Sequence, residues 1–210
     1  MNKRRVVVGI TGASGSIYGV RLLEHLRGVA DVESHVIVSR AARQTLALET
    51  ELTADDVEAM ADFAHSHSDI GASVSSGSFR THGMVVAPCS VKTMSNIAYG
   101  NTADLISRAA DVALKERRRV VLMLRETPLH VGHIETMLRV SQIGAIVFPP
   151  VPAFYHRPRS VMDIVDQSVM RCLDLLDIEC EAASRWGETS RKLVRAAARA
   201  EAETAAVGDE

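Results

Sequence analysis

Short apolar runs recur along this chain, and helical patterns separate most of them. The runs occupy residues 5–10, 32–38, 84–87, 120–124 and 145–148 and are rich in β-branched side chains. Continuous apolar runs of this length are typical of strands that are buried on both faces. Strands that alternate with helices predict a parallel sheet with helices on either side. The pattern therefore predicts a three-layer α/β fold.

The helical pattern is clearest over residues 160–177. One apolar stripe at helical spacing is formed there by Val161, Ile164, Val165, Val169, Cys172, Leu173 and Leu176. Arg171 lies at the edge of this stripe, about 100° from its centre. The preceding segment, 148–158, contains four prolines, so we expect a stiff loop that carries aromatic side chains.

Composition narrows the class of protein. The chain has 210 residues, 47% of them hydrophobic, and a formal net charge of −2, which favours one globular domain and argues against a nucleic-acid-binding surface. The apolar runs are too short to span a bilayer, and we expect no targeting segment. Three cysteines without metal-type spacing indicate reduced thiols and a cytoplasmic protein. We expect one domain over residues 1–187 and an Ala/Arg/Glu-rich tail over 188–210, either helical or disordered.

The first predicted strand ends in a turn of small residues, Thr-Gly-Ala-Ser-Gly-Ser at 11–16. A predicted helix follows directly, so its free backbone N–H groups and its dipole would favour a phosphate. The turn has neither the G-x-G-x-x-G spacing nor the Gly-Lys-Ser/Thr of a Walker loop. A phosphate site and an ordinary strand-to-helix turn both fit these residues.

Two further segments carry candidate chemistry. Residues 87–93 form a second strand-to-helix turn, where Ser90 and Thr93 would either contact an anion or cap the helix. Arg125 and Glu126 follow a predicted strand, at the end where open α/β sheets bind ligands. A guanidinium there suits a phosphate, and this position favours a function over a surface Arg–Glu pair. The histidines are scattered, so we expect solvated side chains and no metal site.

Seven motifs, in this order, resemble the UbiX/Pad family of flavin prenyltransferases. They are Thr-Gly-Ala-Ser-Gly at 11–15, Ser-Gly-Ser-Phe at 76–79, Ala-Pro-Cys-Ser at 87–90, Ala-Asp-Val-Ala-Leu-Lys-Glu at 110–116, Arg-Glu at 125–126, Pro-x-Phe-Tyr at 152–155 and Arg-Trp at 185–186. The resemblance spans residues 6–186. Segments 55–63 and 75–81 look closest to the Pad-like branch, which is often associated with a phenolic-acid decarboxylase.

This resemblance implies a flavodoxin-like, Rossmann-like three-layer sandwich with a parallel sheet, assembled as a dodecamer with active sites between subunits. It implies reduced FMN and dimethylallyl phosphate as substrates, with no metal. The prenyl group would be joined to N5 and then to C6 of the flavin with loss of phosphate. The prenylated FMN would serve a UbiD-type decarboxylase. Whether the donor is a mono- or a diphosphate stays open.

The resemblance also implies the site residues, position by position. The flavin contacts would be Gly12, Ala13, Ser14, Ser39, Ser90, Val91, Lys92, Thr93 and Arg125. Lys115, Tyr155 and Arg171 match positions that bind the prenyl phosphate, and the last two would come from a neighbouring subunit. The catalytic candidates are Glu126, Glu49, Ser14 and Lys115. Trp186 is a candidate aromatic wall for a developing prenyl cation.

Two alternatives have a related fold or the same cofactor. One is an FMN-dependent cysteine decarboxylase, which would need a histidine on the first helix and a Pro-x-Met-Asn-type loop. His25 lies on the first predicted helix, but the loop does not occur. The other is a non-catalytic FMN carrier subunit of a decarboxylase, which would have no need for a second phosphate site.

Overall fold

A single six-stranded sheet forms the centre of the protein, whose structure is a computed structural model that describes residues 3–179. Its strands are β1 (Arg4–Ile10), β2 (Val32–Val38), β3 (Phe63–His65), β4 (Gly83–Cys89), β5 (Arg119–Leu124) and β6 (Ile146–Val147). They lie in the order β3-β2-β1-β4-β5-β6, and every neighbouring pair is parallel. The predicted parallel sheet is confirmed, with β3 as a strand that the hydropathy pattern does not predict.

Seven helices cover the two faces of this sheet within the described residues. They are α1 (Ser16–Arg27), α2 (Arg40–Glu49), α3 (Ala54–Glu58), α4 (Val91–Tyr99), α5 (Leu105–Lys115), α6 (Val131–Gln142) and α7 (Val161–Asp174). One apolar core joins the sheet to α1, α2, α3 and α7. A second core joins the opposite face to α4, α5 and α6. These three layers confirm the predicted flavodoxin-like α/β class.

The strand order reverses between β1 and β4. The chain moves from β1 outward through β2 and β3, and then returns to pair β4 with the other side of β1. Ligands of open α/β sheets bind at such a switch point, beyond the carboxyl ends of the strands. The Thr11 hydroxyl joins the two strand ends, because it donates to the Pro88 carbonyl at 2.7 Å and accepts from the Ser90 N–H at 2.9 Å.

Helix α1 packs unusually close to the sheet at Gly19. A Cβ atom at this position would lie 2.5 Å from the carbonyl oxygen of Ala87 and 2.8 Å from Cδ1 of Ile10. Only glycine therefore lets the helix approach the backbone of β4 so closely. This contact fixes the start of α1 beside the end of β1.

No helix among residues 3–179 is long and apolar enough to cross a membrane. The predicted domain end at residue 187, the tail over 188–210 and the candidate aromatic wall at Trp186 lie outside the described residues.

Candidate active site

A cavity of about 520 Å³ lies at the carboxyl ends of β1, β2 and β4. It is lined by Thr11, Gly12, Ser39, Arg40, Ala41, Gln44, His67, Ser90, Lys92, Thr93 and Asp104. Five of the predicted flavin contacts are thus brought together: Gly12, Ser39, Ser90, Lys92 and Thr93. The switch point between β1 and β4 is where the fold leads us to expect a ligand.

Two helices begin at this cavity with serine caps. The Ser39 hydroxyl accepts from the Ala42 N–H at 3.1 Å at the start of α2, and the Ser90 hydroxyl accepts from the Thr93 N–H at 3.3 Å at the start of α4. Ser90 therefore caps its helix and lines the cavity as well. Two helix N-termini that border one cavity create a positive potential, which favours an anionic ligand such as a phosphate.

Gly12 is needed where the first turn passes α2. A Cβ atom at this position would collide with the Cβ of Ala41. Without a side chain, the turn brings its backbone up to the cavity wall.

The carboxylate of Glu49, at the end of α2, binds the N-terminus of α1. It accepts hydrogen bonds from the N–H groups of Gly15 at 2.9 Å and Ser16 at 2.8 Å, and from the Ser14 hydroxyl. Partial burial opposes ionisation of Glu49, but these donors outweigh it and hold the carboxyl pKa below its ordinary value. Part of the anion site predicted over residues 11–16 is therefore occupied by a side chain of the protein itself.

Arg125 and Glu126 lie beyond the end of β5. The Arg125 N–H donates to the Cys89 carbonyl at 3.0 Å, which ties this segment to β4. Burial raises the pKa of Tyr18 on α1, and the nearby positive charge of Arg125 partly offsets that rise. The charge of Arg125 therefore acts on the first turn of α1. Glu126 accepts from the Thr127 N–H at 3.0 Å, and no ion pair within residues 3–179 joins it to Arg125.

Lys115 lies far from this cavity in the same chain. Helix α5 begins next to Asp104, which lines the cavity, and ends at Lys115 about 16 Å further along the helix axis. Lys115 is exposed, and its Nζ donates to Glu116 at 2.6 Å beside Gly77. The Arg118 guanidinium holds that loop by donating to the Gly77 and Phe79 carbonyls at 2.7 and 2.9 Å. We call Lys115 and residues 76–79 the lysine corner.

Tyr155 and Arg171 form a third cluster. The Tyr155 hydroxyl accepts from Nε2 of Gln167 at 2.8 Å, and Arg171 follows Gln167 by one turn of α7. The chain just after α7 lies at the amino ends of the strands, opposite the cavity. There His82, which directly precedes β4, donates to the Leu176 carbonyl at 2.6 Å. Arg171 is exposed and pairs with Asp174 at 3.5 Å. We call Tyr155, Gln167 and Arg171 the tyrosine–arginine face.

The prediction of solvated histidines is wrong for the pair at 65 and 67. His65 is bonded to the buried His35, with 3.0 Å between His65 Nε2 and His35 Nδ1. His67 lines the cavity, and its Nε2 lies 3.6 Å from Oδ1 of Asp104. Sequence reasoning missed His67, Asp104, Arg40 and Gln44 as cavity residues. Asp104 carries a signal in its spacing, because it caps α5 through the Ser107 N–H at 2.9 Å.

Cys89 lies at the end of β4 beside the cavity but points into the core. It is fully buried, and burial raises the pKa of its thiol to about 12. Cys172 on α7 is likewise buried, with its pKa raised. Neither thiol is poised as a nucleophile at neutral pH. Among residues 3–179, no three His, Cys, Asp or Glu side chains are placed to hold a metal ion.

Comparison with known proteins places this chain among flavoproteins. A family model described as Flavoprotein matches residues 1–173. The flavin prenyltransferase UbiX of Escherichia coli K12 is 55% identical over 185 residues, which cover 87% of this chain and 98% of that protein.

Solved structures agree with this match. A crystal structure of AnUbiX in complex with FMN and dimethylallyl pyrophosphate superposes with a TM-score of 0.87 at 49% identity, covering 89% of this chain and 98% of that one. A dodecameric FMN-dependent UbiX-like decarboxylase from Escherichia coli O157:H7 gives a TM-score of 0.85 at 49% identity, covering 87% and 98%.

Proposed function

The chain belongs to the UbiX flavin prenyltransferases of the Flavoprotein family, and from this membership we propose that it transfers a dimethylallyl group from dimethylallyl phosphate to reduced FMN. The family resemblance that the motifs indicated is confirmed. The observation that carries the proposal is the cavity at the β1–β4 switch point, which two capped helix N-termini border. Such a cavity suits the phosphate of FMN.

The flavin contacts that we assign are those that line or border this cavity. Ser39, Ser90 and Thr93 offer hydroxyl groups, and Gly12 and Ala13 offer close backbone approach, while Val91 begins α4 beside them. Lys92 and Arg125 supply positive charge at the same edge of the sheet. When bound, reduced FMN supplies the nucleophilic N5 and C6 positions that accept the prenyl group.

We assign binding of the second phosphate group, that of the prenyl donor, to cationic side chains. Breaking the allylic C–O bond leaves negative charge on the phosphate, which fixed cations stabilise more strongly than they stabilise the intact substrate. Arg125, Lys115 and Arg171 are the side chains assigned to this task, and the Tyr155 hydroxyl adds a hydrogen bond. Proton movement is assigned to Glu126 and to the hydrogen-bonded pair of Ser14 and Glu49.

These assignments require more than one subunit. Lys115 is about 16 Å along α5 from the cavity. Arg171 is about 15 Å along α7 from the start of that helix, towards the strand ends opposite the cavity, where Leu176 contacts His82. Both side chains are exposed. We propose that a cavity on one subunit is completed by the lysine corner and the tyrosine–arginine face of neighbouring copies in a homo-oligomer, a dodecamer. The exposed apolar side chains of Val131, Ile134 and Leu138 on α6 suit contacts between copies.

Neither the cysteine decarboxylase nor the non-catalytic FMN carrier fits the structure as well as a prenyltransferase does. His25 lies in the last turn of α1, remote from the cavity, and pairs with Asp166 at 3.5 Å, so it is not available to a cysteine decarboxylase site there. A non-catalytic carrier of FMN would not need Lys115 and Arg171, the two cations assigned to a second phosphate group outside the flavin cavity. We further propose a UbiD-type decarboxylase as the recipient of the product, and the cytoplasm as the location, which two unpaired buried thiols support.

Anaerobic incubation with reduced FMN and dimethylallyl phosphate tests this proposal. Mass spectrometry of the released flavin should show FMN plus one isoprene unit, and the flavin should activate a UbiD-type apo-decarboxylase. A parallel reaction with dimethylallyl diphosphate identifies the donor. The reaction should proceed after treatment with a chelator. Unmodified FMN as the only flavin with either donor would contradict the proposal.

A further inference from the structure

The lysine assigned to the donor phosphate is paired with a carboxylate of its own chain. In the lysine corner, Nζ of Lys115 donates to Oε1 of Glu116 at 2.6 Å. The Arg118 guanidinium lies 4.0 Å from the second carboxylate oxygen, Oε2. The Glu116 carboxylate therefore lies between two cations, and this is also the arrangement that would suit a bound anion.

The end of α5 brings these charges together. The backbone reverses at Arg117, which has a left-handed conformation with φ 58°, and the Arg118 N–H donates to the Ala113 carbonyl at 2.8 Å. This turn directs the Arg118 side chain under the neighbouring loop, where it donates to the Gly77 carbonyl at 2.7 Å and is only 14% exposed. Arg118 is thus a fixed part of the corner.

The ion pair of Lys115 and Glu116 lies directly on the backbone of this loop. A Cβ atom at position 77 would collide with Oε1 of Glu116 and would lie 2.9 Å from Nζ of Lys115. Glycine at this position therefore leaves room for the pair. The other side of the pair is open, because half of the Lys115 side chain is exposed. A ligand bound to another subunit can reach the ammonium from that side.

A phosphate can take the ammonium from this carboxylate. The hydrogen bond from Lys115 holds the pKa of the Glu116 carboxyl below its ordinary value, so Glu116 carries one negative charge at neutral pH. A phosphate monoester carries about 1.5–2 negative charges at the same pH. An exposed ion pair adds little stability in water. The more highly charged ligand should therefore displace the carboxylate, which reduces the net gain from binding.

We propose that Glu116 is an intramolecular competitor of the donor phosphate for the Lys115 ammonium. This inference rests on the proposed prenyl transfer. The carboxylate pairs with Lys115 before the donor binds, gives way to its phosphate, and pairs with Lys115 again when inorganic phosphate leaves. Glu116 is a positioning residue, since it acts through Lys115 and not on the flavin. It should weaken the binding of the donor and of the phosphate product alike.

Glu116→Gln tests the competition, because the amide keeps the shape of the side chain and loses its charge. Calorimetric titration of the full chain loaded with oxidised FMN measures binding without turnover, since the assigned nucleophile is reduced FMN. We expect the dissociation constants for dimethylallyl phosphate and for inorganic phosphate each to fall by about 1.5-fold to fivefold, as for one exposed ion pair. The dissociation constant for FMN should be unchanged. Unchanged or weaker binding of dimethylallyl phosphate would overturn the inference.

Glu58→Gln is the matched control. Glu58 ends α3, on the face of the sheet opposite to α5. It pairs with Arg43 at 2.5 Å, and that arginine side chain is 47% exposed against 50% for Lys115. The substitution changes the net charge of the chain by the same amount as Glu116→Gln. We expect no change in the binding of dimethylallyl phosphate. Equal tightening in both variants would overturn the inference, because net charge alone would then explain it.

A double-mutant cycle separates competition for Lys115 from simple repulsion between Glu116 and the phosphate. Lys115→Met should weaken binding of dimethylallyl phosphate without abolishing it, because Arg125 and Arg171 remain. In that background Glu116→Gln should give no tightening, since the contested ammonium is gone. The same tightening in both backgrounds would overturn the competition while wild-type turnover upholds the proposed function. A wild-type enzyme that forms no prenylated flavin would overturn the proposed function, and this inference with it.

Discussion

Glu49 illustrates how one side chain serves both a helix and a site. Its carboxylate binds the N–H groups of Gly15 and Ser16, which would otherwise lack partners at the start of α1. The left-handed backbone of Gly15, with φ 99°, turns these groups towards the carboxylate. The same contact places an ionised acid beside the Ser14 hydroxyl at the edge of the cavity.

The pH dependence of stability should report this contact. The folded-state pKa of Glu49 is lowered from 4.5, so its contribution is complete above that ordinary value and is lost as the pH falls through the folded-state pKa. Glu49→Gln should therefore lower the free energy of unfolding at neutral pH and have a shrinking effect in acid. Denaturant unfolding at several pH values measures the difference.

Glu51→Gln is the control for that series. Glu51 is exposed and has no hydrogen-bond partner among residues 3–179. Its replacement should have little effect at any pH. An effect of Glu49→Gln that is the same at acid and neutral pH would show that its charge is not what stabilises α1.

Glu126→Gln tests the proton transfer assigned to this residue. The amide keeps the shape and the acceptor of the carboxylate but cannot exchange a proton, so turnover should fall by roughly 10²–10⁴-fold. FMN and the prenyl donor should bind as before, because neither anion gains from a carboxylate. Anaerobic single-turnover spectra measure both bond-forming steps. Wild-type rates for both bond-forming steps would show that Glu126 does not transfer a proton in the reaction.

Among the elements, the sequence pattern predicts the buried ones well and the edge ones poorly. The strands β1, β2, β4 and β5 follow apolar runs, because both of their faces are covered. β3 has only three residues, Phe63 and Ala64 are exposed, and its hydrogen bonds to β2 hold it in the sheet. No local pattern marks such a strand. β6 has two residues where four were predicted.

The candidate site was predictable only in part, for a related reason. Turns that follow buried strands must meet at one edge of a parallel sheet, so sequence reasoning could gather Gly12 and Ser90, while Ser39 was assigned by resemblance. The bond between Glu49 and Gly15 joins residues far apart in sequence and has no local signal. Lys115 and Arg171 were assigned by resemblance, and only the directions of α5 and α7 show that both lie towards the strand ends opposite the cavity of their own chain.

The close approach of α1 to the sheet should make Gly19 intolerant of a side chain. Gly19→Ala gains about 1 kcal/mol of helix propensity. Overpacking against Ala87 and Ile10 should cost more than that gain, with a net loss of stability of roughly 1–2 kcal/mol. Gly28→Ala is the control, because Gly28 has right-handed φ and its nearest atom would lie 3.4 Å away. Equal melting temperatures for the two variants would contradict this account of the packing.

At the scale of the whole molecule, the division of the site among copies has a direct test. Arg125→Ala and Arg171→Ala should each be nearly inactive in prenyl transfer, and Arg171→Ala should retain FMN binding. If each cavity takes these arginines from different subunits, oligomers assembled from both variants should regain activity. Random mixing leaves about a quarter of the sites with both arginines intact. Co-expression followed by activity measurement on the mixed oligomer provides the test.

The control mixes Arg125→Ala with Glu126→Gln. Both residues lie at the end of β5 in one chain, so a mixed oligomer contains no site with both intact. Activity should not return. No recovery with Arg171→Ala would mean that a single chain supplies Arg125 and Arg171 to the same site. Recovery in the control would mean that Arg125 and Glu126 of one chain do not serve the same site.

The chemistry assigned to the cavity gives a reason why the cysteine thiols should be buried. An allylic phosphate is an alkylating agent, and thiolates are the side chains that such agents modify most readily. Cys89 begins the turn that forms one wall of the cavity, yet its sulfur faces the core and its pKa is raised to about 12. The folded enzyme therefore handles an electrophile beside a cysteine that stays protonated and out of reach, and is protected against alkylating itself.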